Sequence, residues 1–307
     1  MIEVSGLTKL YSGIKAVDNL SFKMAEGEIV GLLGLNGAGK TTVLKVLGCY
    51  LLPSHGTVTI NGKSTTTEPH QVRELIGYLP DVPPLYDEMT VDSYLSFVAK
   101  LKNVSRNLIR QRIEDVVSKT NLESVRTKRL GNLSHGFQQR VGIAQALVHN
   151  PAVVILDEPI NGLDPVQIVE MRDLILGLKG HHTVILSSHI LSEVTKTCDR
   201  ILVIDQGKLI AEGDESKLYN SVKRETTVKV ELLNSSDHLI DKIRSIEGVK
   251  TCAVETQQEC TSLFIETEKD VRSEIARCIV NNDGQLLSLN KEGDGLESIF
   301  LQMVRSH

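Results

Sequence analysis

Residues 34 to 42 read GLNGAGKTT, set between the apolar run Ile29–Leu33 and a helical pattern that opens at Lys40. No other feature limits the fold so tightly. A strand end, a tight backbone curl and a helix start must meet at one point for these residue types to be useful in this order. Gly34, Gly37 and Gly39 let successive N–H groups turn inward as a nest for phosphate oxygens. Lys40 sets a cation on the β- and γ-phosphates, and Thr41 offers a hydroxyl to Mg²⁺. Asn36, Ala38 and Thr42 complete the loop. The competing reading is a glycine-rich turn with a chance lysine. A strand before and a helix after, with every position of G-x-x-x-x-G-K-[ST] filled, argue against it.

The 307 residues suffice for one large domain and a small one. Apolar residues make up 41% and charged ones 24%, an ordinary balance for a soluble globular protein. The net charge of −5, with acids and bases interspersed, gives no basic footprint for nucleic acid. The N-terminal MIEVSGLTKLYSG lacks the basic-then-apolar pattern of a signal peptide. The longest uncharged stretch, residues 46–62, contains Pro53, Ser54, His55 and Gly56, so it turns rather than spans a membrane. Cysteines stand at 49, 198, 252, 260 and 278, an odd count at no metal spacing, read as reduced thiols.

Up to about residue 220, β-branched runs predict buried strands at Ile29–Leu33, Val153–Leu156, 184–186 and 201–204. Helical patterns are expected at 40–50, 91–101, 108–120, 134–149 and 166–178. Their alternation implies an α/β fold with a parallel sheet covered on both faces. Residues 81–131 interrupt it as a helix-rich insert. After Tyr219 the texture changes. Strands at 227–232, 249–255, 260–266 and 285–289, with helices at 238–246 and 270–281, give the order βαββαβ of a small α+β ferredoxin-like domain over 221–307. A last helix is expected at 296–304.

Residues 153 to 158, VVILDE, end a buried strand in two carboxylates, at the sheet edge where α/β proteins bind ligands. Asp157 suits Mg²⁺, and Glu158 suits polarisation of an attacking water. Alone the pair reads equally as solvated acids. Beside a complete phosphate loop it supplies the metal anchor and water-orienting group that nucleotide hydrolysis needs.

With these motifs in place, residues 1–220 resemble the ATP-binding cassette (ABC) ATPases, a P-loop NTPase fold with a helical insert. NLSHGFQQR (132–140) is similar to that family's signature, usually LSGGQ followed by QR, and lies just upstream of VVILDEP. NGLD (161–164) resembles the D-loop, SSHILSEV carries His189 at the switch-histidine position, and Tyr11 matches the aromatic residue that stacks on adenine. Each residue also has a plainer reading. Tyr11 is an ordinary aromatic, His189 a polar surface group, and Asp164 a cap on the helix after Pro165.

The resemblance implies that Ser134 and Gly136 cap a phosphate held by a second cassette, with Asp164 at the pair's interface. It implies ATP and Mg²⁺ as cofactors, with Thr41, Asp157 and Asp81 at the metal and Glu158, His189 and Asp81 catalytic. It implies a homodimer and a polytopic membrane permease as partners, with no nucleic acid, at the cytoplasmic face of the inner membrane. The segments IGYLPDVPPLYDEMTV, LDPVQI and GLESIFLQMV resemble ABC-2 exporter cassettes of the gliding-motility and drug-exporter kinds. Leu85, Tyr86, Met89, Tyr94 and Phe97 serve either as a dock for a membrane subunit or as the insert's own core. The rival class is a soluble ABC ATPase without a membrane partner.

Four positions depart from the family pattern. Leu35 replaces proline, His135 replaces glycine in the signature, and Ile160 replaces the usual Ser or Thr after DEP (157–159). Asp81 stands where the Q-loop glutamine belongs; an ionised carboxylate keeps metal contact but donates no hydrogen bond.

Overall fold

The computed structural model describes residues 2–221, 226–233, 236–257 and 260–292. The chain divides into two units, Met1–Leu218 and Tyr219–Ser306.

The first unit opens with strands β1 (Ile2–Tyr11) and β2 (Ile14–Met24), followed by β3 (Ile29–Leu33) and helix α1 (Lys40–Leu47). Then come β4 (His55–Ile60), β5 (Lys63–Ser64), α2 (Pro69–Leu75) and β6 (Ile76–Leu79). The insert contributes α3 (Val91–Leu101) and α4 (Ile109–Lys119), and α5 (His135–Leu147) follows it. The unit continues with β7 (Val153–Leu156), α6 (Pro165–Leu176), β8 (Thr183–Ser188), α7 (Leu191–Thr197), β9 (Arg200–Asp205) and β10 (Lys208–Gly213). Helix α8 (Glu215–Ser221) follows β10.

Two sheets organise this unit. One is antiparallel, in the order β2-β1-β4-β5. The other has the order β10-β9-β3-β8-β7-β6, parallel except for β10. Every residue of β3, β7 and β8 is buried, as continuous apolar runs demand when both faces are covered. Val43, Leu44, Val46 and Leu47 of α1 join Leu7, Leu20, Phe22 and Met24 of the antiparallel sheet and Val30, Leu32, Ile155 and Ile185 of the parallel one in a single core.

Residues 2–24 carry no apolar run that marks a strand. Both strands there alternate buried and exposed residues, clearest at Leu20, Phe22 and Met24, rather than forming an apolar run. β6 is a strand of only four residues, too short to stand out as a run. The helix expected over 40–50 stops at Leu47. Cys49 takes φ 57°, and the Tyr50 N–H donates to Lys45 O at 2.8 Å, closing the end with cysteine in the left-handed position that glycine usually holds.

Residues 81–131 hold α3, α4 and two short 3₁₀ turns. Tyr94 is buried and donates to Pro84 O at 3.2 Å, so it belongs to the insert's core. Tyr86 is exposed and packs edge-on against Phe97, with ring centres 5.7 Å apart.

The second unit comprises β11 (Thr226–Leu233), α9 (Asp237–Arg244), β12 (Val249–Gln257), β13 (Cys260–Thr267), α10 (Arg272–Asn281) and β14 (Gln285–Glu292). Its antiparallel sheet has the order β12-β13-β11-β14, the ferredoxin-like arrangement of a βαββαβ chain. Val228, Val230, Leu263 and Ile265 on one sheet face meet Leu239, Ile243, Ile275 and Ile279 from the helices. The helix expected at 296–304 lies outside the described residues.

Candidate active site

Four neighbouring parallel strands end at one place. The loop 34–39 follows β3, Asp81 lies beyond β6, Asp157 and Glu158 follow β7, and His189 follows β8. The carboxyl edge of a parallel sheet is where such folds bind ligands. A cavity of about 520 Å³ opens there, lined by Asn36, Gly37, Gly39, Lys40, Thr41, Thr42, Asp81, Glu158 and His189, with Ala16, Leu35 and Asn161.

Local backbone demands shape the cradle. Gly39 precedes α1 with φ 105°, and a Cβ there would lie 2.4 Å from Ala16 O. Only glycine meets both conditions. Ala38 is buried beneath the loop, and its carbonyl accepts the Gly207 N–H at 3.0 Å. Gly34 packs against Ile204 O.

The charged groups interlock. Lys40 is 6% exposed, and its Nζ donates to Gly34 O at 2.8 Å and Leu35 O at 3.3 Å. It also lies 3.2 Å from Glu158 Oε1. The other oxygen, Oε2, accepts from His189 Nδ1 at 2.9 Å. A carboxylate only accepts, so the ring proton sits on Nδ1. Beneath the cavity, the buried Asp157 takes hydrogen bonds at Oδ1 from Ser187 Oγ at 2.7 Å and Thr41 Oγ1 at 3.2 Å. Burial holds the Asp157 pKa above its ordinary value, and these two hydroxyls offset part of that rise. Ser187 Oγ also accepts the Glu158 N–H at 2.8 Å. Glu158 itself takes φ 49°, a left-handed conformation uncommon for a side-chain-bearing residue.

Seven expected site residues are absent from the cavity lining. Gly34, Ala38 and Asp157 are hydrogen-bonded to residues that form it, and the other four stand apart. Tyr11 is 44% exposed, with Lys9 Nζ 5.4 Å from its ring centre. Asp164 caps α6, its Oδ1 accepting from Val166 N at 3.0 Å and Gln167 N at 2.9 Å. Ser134 is exposed at the start of α5, and its side chain makes no cap hydrogen bond there. Gly136 is buried against α6, where a Cβ would lie 2.6 Å from Gln167 Oε1. The structure gives this glycine a packing reason within its own chain. Ser187 and Asn161 were not singled out from the sequence. Both lie inside the SSHILSEV and NGLD motifs, beside residues that were.

The donors around Asp157 are hydroxyl and carboxylate oxygens, the set that a small hard cation takes. Among the described residues no group of three or more His, Cys, Asp or Glu forms a dedicated metal cage. One or two carboxylates supplemented by substrate phosphates is the usual protein share for Mg²⁺, so the residues fit it.

Comparison with known proteins bears on the fold and the family. The family model described as ABC transporter matches residues 17–161. The bacitracin transport ATP-binding protein BcrA of Bacillus licheniformis is 31% identical, over 99% of this chain and 97% of that one. The ABC transporter ATP-binding protein NatA of Bacillus subtilis is 38% identical, over 69% of this chain and 87% of that one. Among solved structures, the post-hydrolysis dimer of the cassette MJ0796 bound to ADP and Pi superposes with a TM-score of 0.65 at 27% identity, covering 70% of this chain and 98% of that one. Fold and site thus define a nucleotide-binding cassette that hydrolyses ATP. The chain belongs to the ABC transporter family, among its ATP-binding proteins.

Proposed function

We propose that this chain is the ATPase subunit of an ABC-2-type exporter, working as a pair of cassettes bound to a polytopic membrane permease at the cytoplasmic face of the membrane. One observation carries the reading. The phosphate cradle is complete within the chain, while Ser134 and the start of α5, which the Ser134 side chain does not cap, lie outside it. A helix start left uncapped in this way suits an anion, and a second copy supplies one in its own cradle. A self-complementary pair of this kind is a two-fold dimer with ATP at the joint.

Lys40 and the loop around Asn36, Ala38 and Thr42 hold the phosphates. Glu158 takes the proton of the attacking water, its aim set by Lys40 on one oxygen and His189 on the other. Thr41 and Asp157 would hold Mg²⁺, with Asp81 lining the same cavity. Bound with the nucleotide, Mg²⁺ neutralises charge on the phosphate oxygens. Tyr11 stacks on adenine, and Asp164 and Gly136 sit at the joint between copies. No helix among the described residues is long and apolar enough to cross a membrane. The names of BcrA and NatA support a transport role. Replacement of Asp81 by Gln should alter the metal requirement; unchanged ATPase and transport would remove Asp81 from the metal site.

The test is the solution mass of Glu158→Gln with and without ATP and Mg²⁺. The expected result is an ATP-dependent dimer that Ser134→Arg abolishes. A chain that binds ATP, stays monomeric and co-purifies with no membrane protein overturns the reading.

A further inference from the structure

His135 opens α5 beside Ser134, and its Nε2 lies 3.0 Å from Asn161 O. A carbonyl only accepts, so this nitrogen carries the proton and donates. The Asn161 N–H in turn donates to Glu158 O at 3.1 Å, closing the turn that begins at Glu158 with its left-handed φ of 49°. Two hydrogen bonds in series thus join the start of α5 to the residue whose side chain lies between Lys40 and His189. One helical turn further on, at i+4 and so on the same face, Gln139 Nε2 donates to Asp81 O at 3.4 Å. Asn161 and Asp81 both line the phosphate cavity. One face of α5 therefore grips two walls of it.

We propose that His135 is a positioning residue for Glu158. It holds the 158–161 turn against the start of α5, so that the aim of the carboxylate and the place of Ser134 are set together. A turn begun in the left-handed region persists only where its surroundings over-determine it. Ser187 holds its amide end through the Glu158 N–H, and His135 holds its far end through the Asn161 carbonyl. The inference rests on the proposed function: on Glu158 as the general base and, for the place of Ser134, on the pairing of cassettes.

The experiment compares steady-state ATPase of the full chain with His135→Ala, His135→Gly, His135→Gln and Glu158→Gln, each with its melting temperature. A glutamine places its amide N–H at a reach similar to Nε2, whereas alanine and glycine offer no donor. Loss of one such hydrogen bond should lower kcat about three- to tenfold in the Ala and Gly variants. KM for ATP should stay within about twofold, because Lys40 and the loop 34–42 are untouched, and Gln should recover most of the rate. An unchanged kcat, a KM that rises in step, or a Gln variant as slow as Ala overturns the inference. If His135→Ala fails to fold, His135→Leu against His135→Gln makes the same comparison with the space filled. Turnover surviving in Glu158→Gln removes the base assignment and this inference with it. Turnover lost there while His135→Ala and His135→Gly keep their rate removes this inference alone.

Discussion

Ser187 sits near the end of β8 with 0% exposure. Its hydroxyl does two things at once. It donates to Asp157 Oδ1 at 2.7 Å and accepts the Glu158 N–H at 2.8 Å. Ser187→Ala deletes both and leaves a methyl group that water cannot replace. A hydrogen bond to an ionised group contributes about 1.5–3 kcal/mol, and an orphaned buried N–H costs about 1–3 kcal/mol. Thr41 Oγ1 remains on the same Asp157 oxygen at 3.2 Å, which reduces the first loss. The two losses share one atom and do not simply add, so a net destabilisation of about 2–4 kcal/mol is expected. For a unit of this size that is a fall in melting temperature of roughly 5–15 °C. The same change frees the amide end of the Glu158 turn, so kcat should drop more than ATP affinity. Differential scanning calorimetry of the full chain and a coupled ATPase assay read the two effects. A melting temperature within about 2 °C of wild type, with kcat within twofold, would refute the argument that this hydroxyl holds the site together.

Other substitutions separate packing from chemistry. Gly136→Ala forces Gln167 aside and should cost about 1–2 kcal/mol in urea unfolding, with Gln167→Ala in the same chain restoring most of it. Asp164→Ala removes the cap on two N–H groups of α6 and should cost about 1 kcal/mol; a much larger loss of ATPase than of stability would mark its proposed place between copies. His149 carries the pH prediction. Burial is the main cause that holds its pKa at about 4; its Nε2 donates to Ile76 O, and Nδ1 is buried without a partner. The unfolded chain binds a proton near pH 6.5 that the folded chain refuses until about pH 4, so stability falls on acidification through that window. The loss is at most about 3 kcal/mol, and His149→Gln should flatten the melting curve against pH between those limits.

What was legible in the sequence follows the range over which each constraint acts. The phosphate cradle is a demand on consecutive backbone angles, so GLNGAGKTT shows it directly, down to the glycine at φ 105°. The strands β3, β7 and β8 are buried on both faces and read as apolar runs, whereas β1 and β2 face two environments and their alternation was passed over. The βαββαβ unit was readable because its six elements are short, regular and met in chain order. The hydrogen bonds of the site are different. They depend on sheet order, and β8 enters the sheet between β3 and β7 although it is made after both. That insertion places Ser187 against Asp157 and His189 against Glu158, partners 30 and 31 residues apart. The chain shows four strand ends bearing useful groups. Only the order β3-β8-β7 makes the third strand in sequence the middle one in space, and so turns a lysine, a serine, a histidine and two carboxylates into one hydrogen-bonded centre.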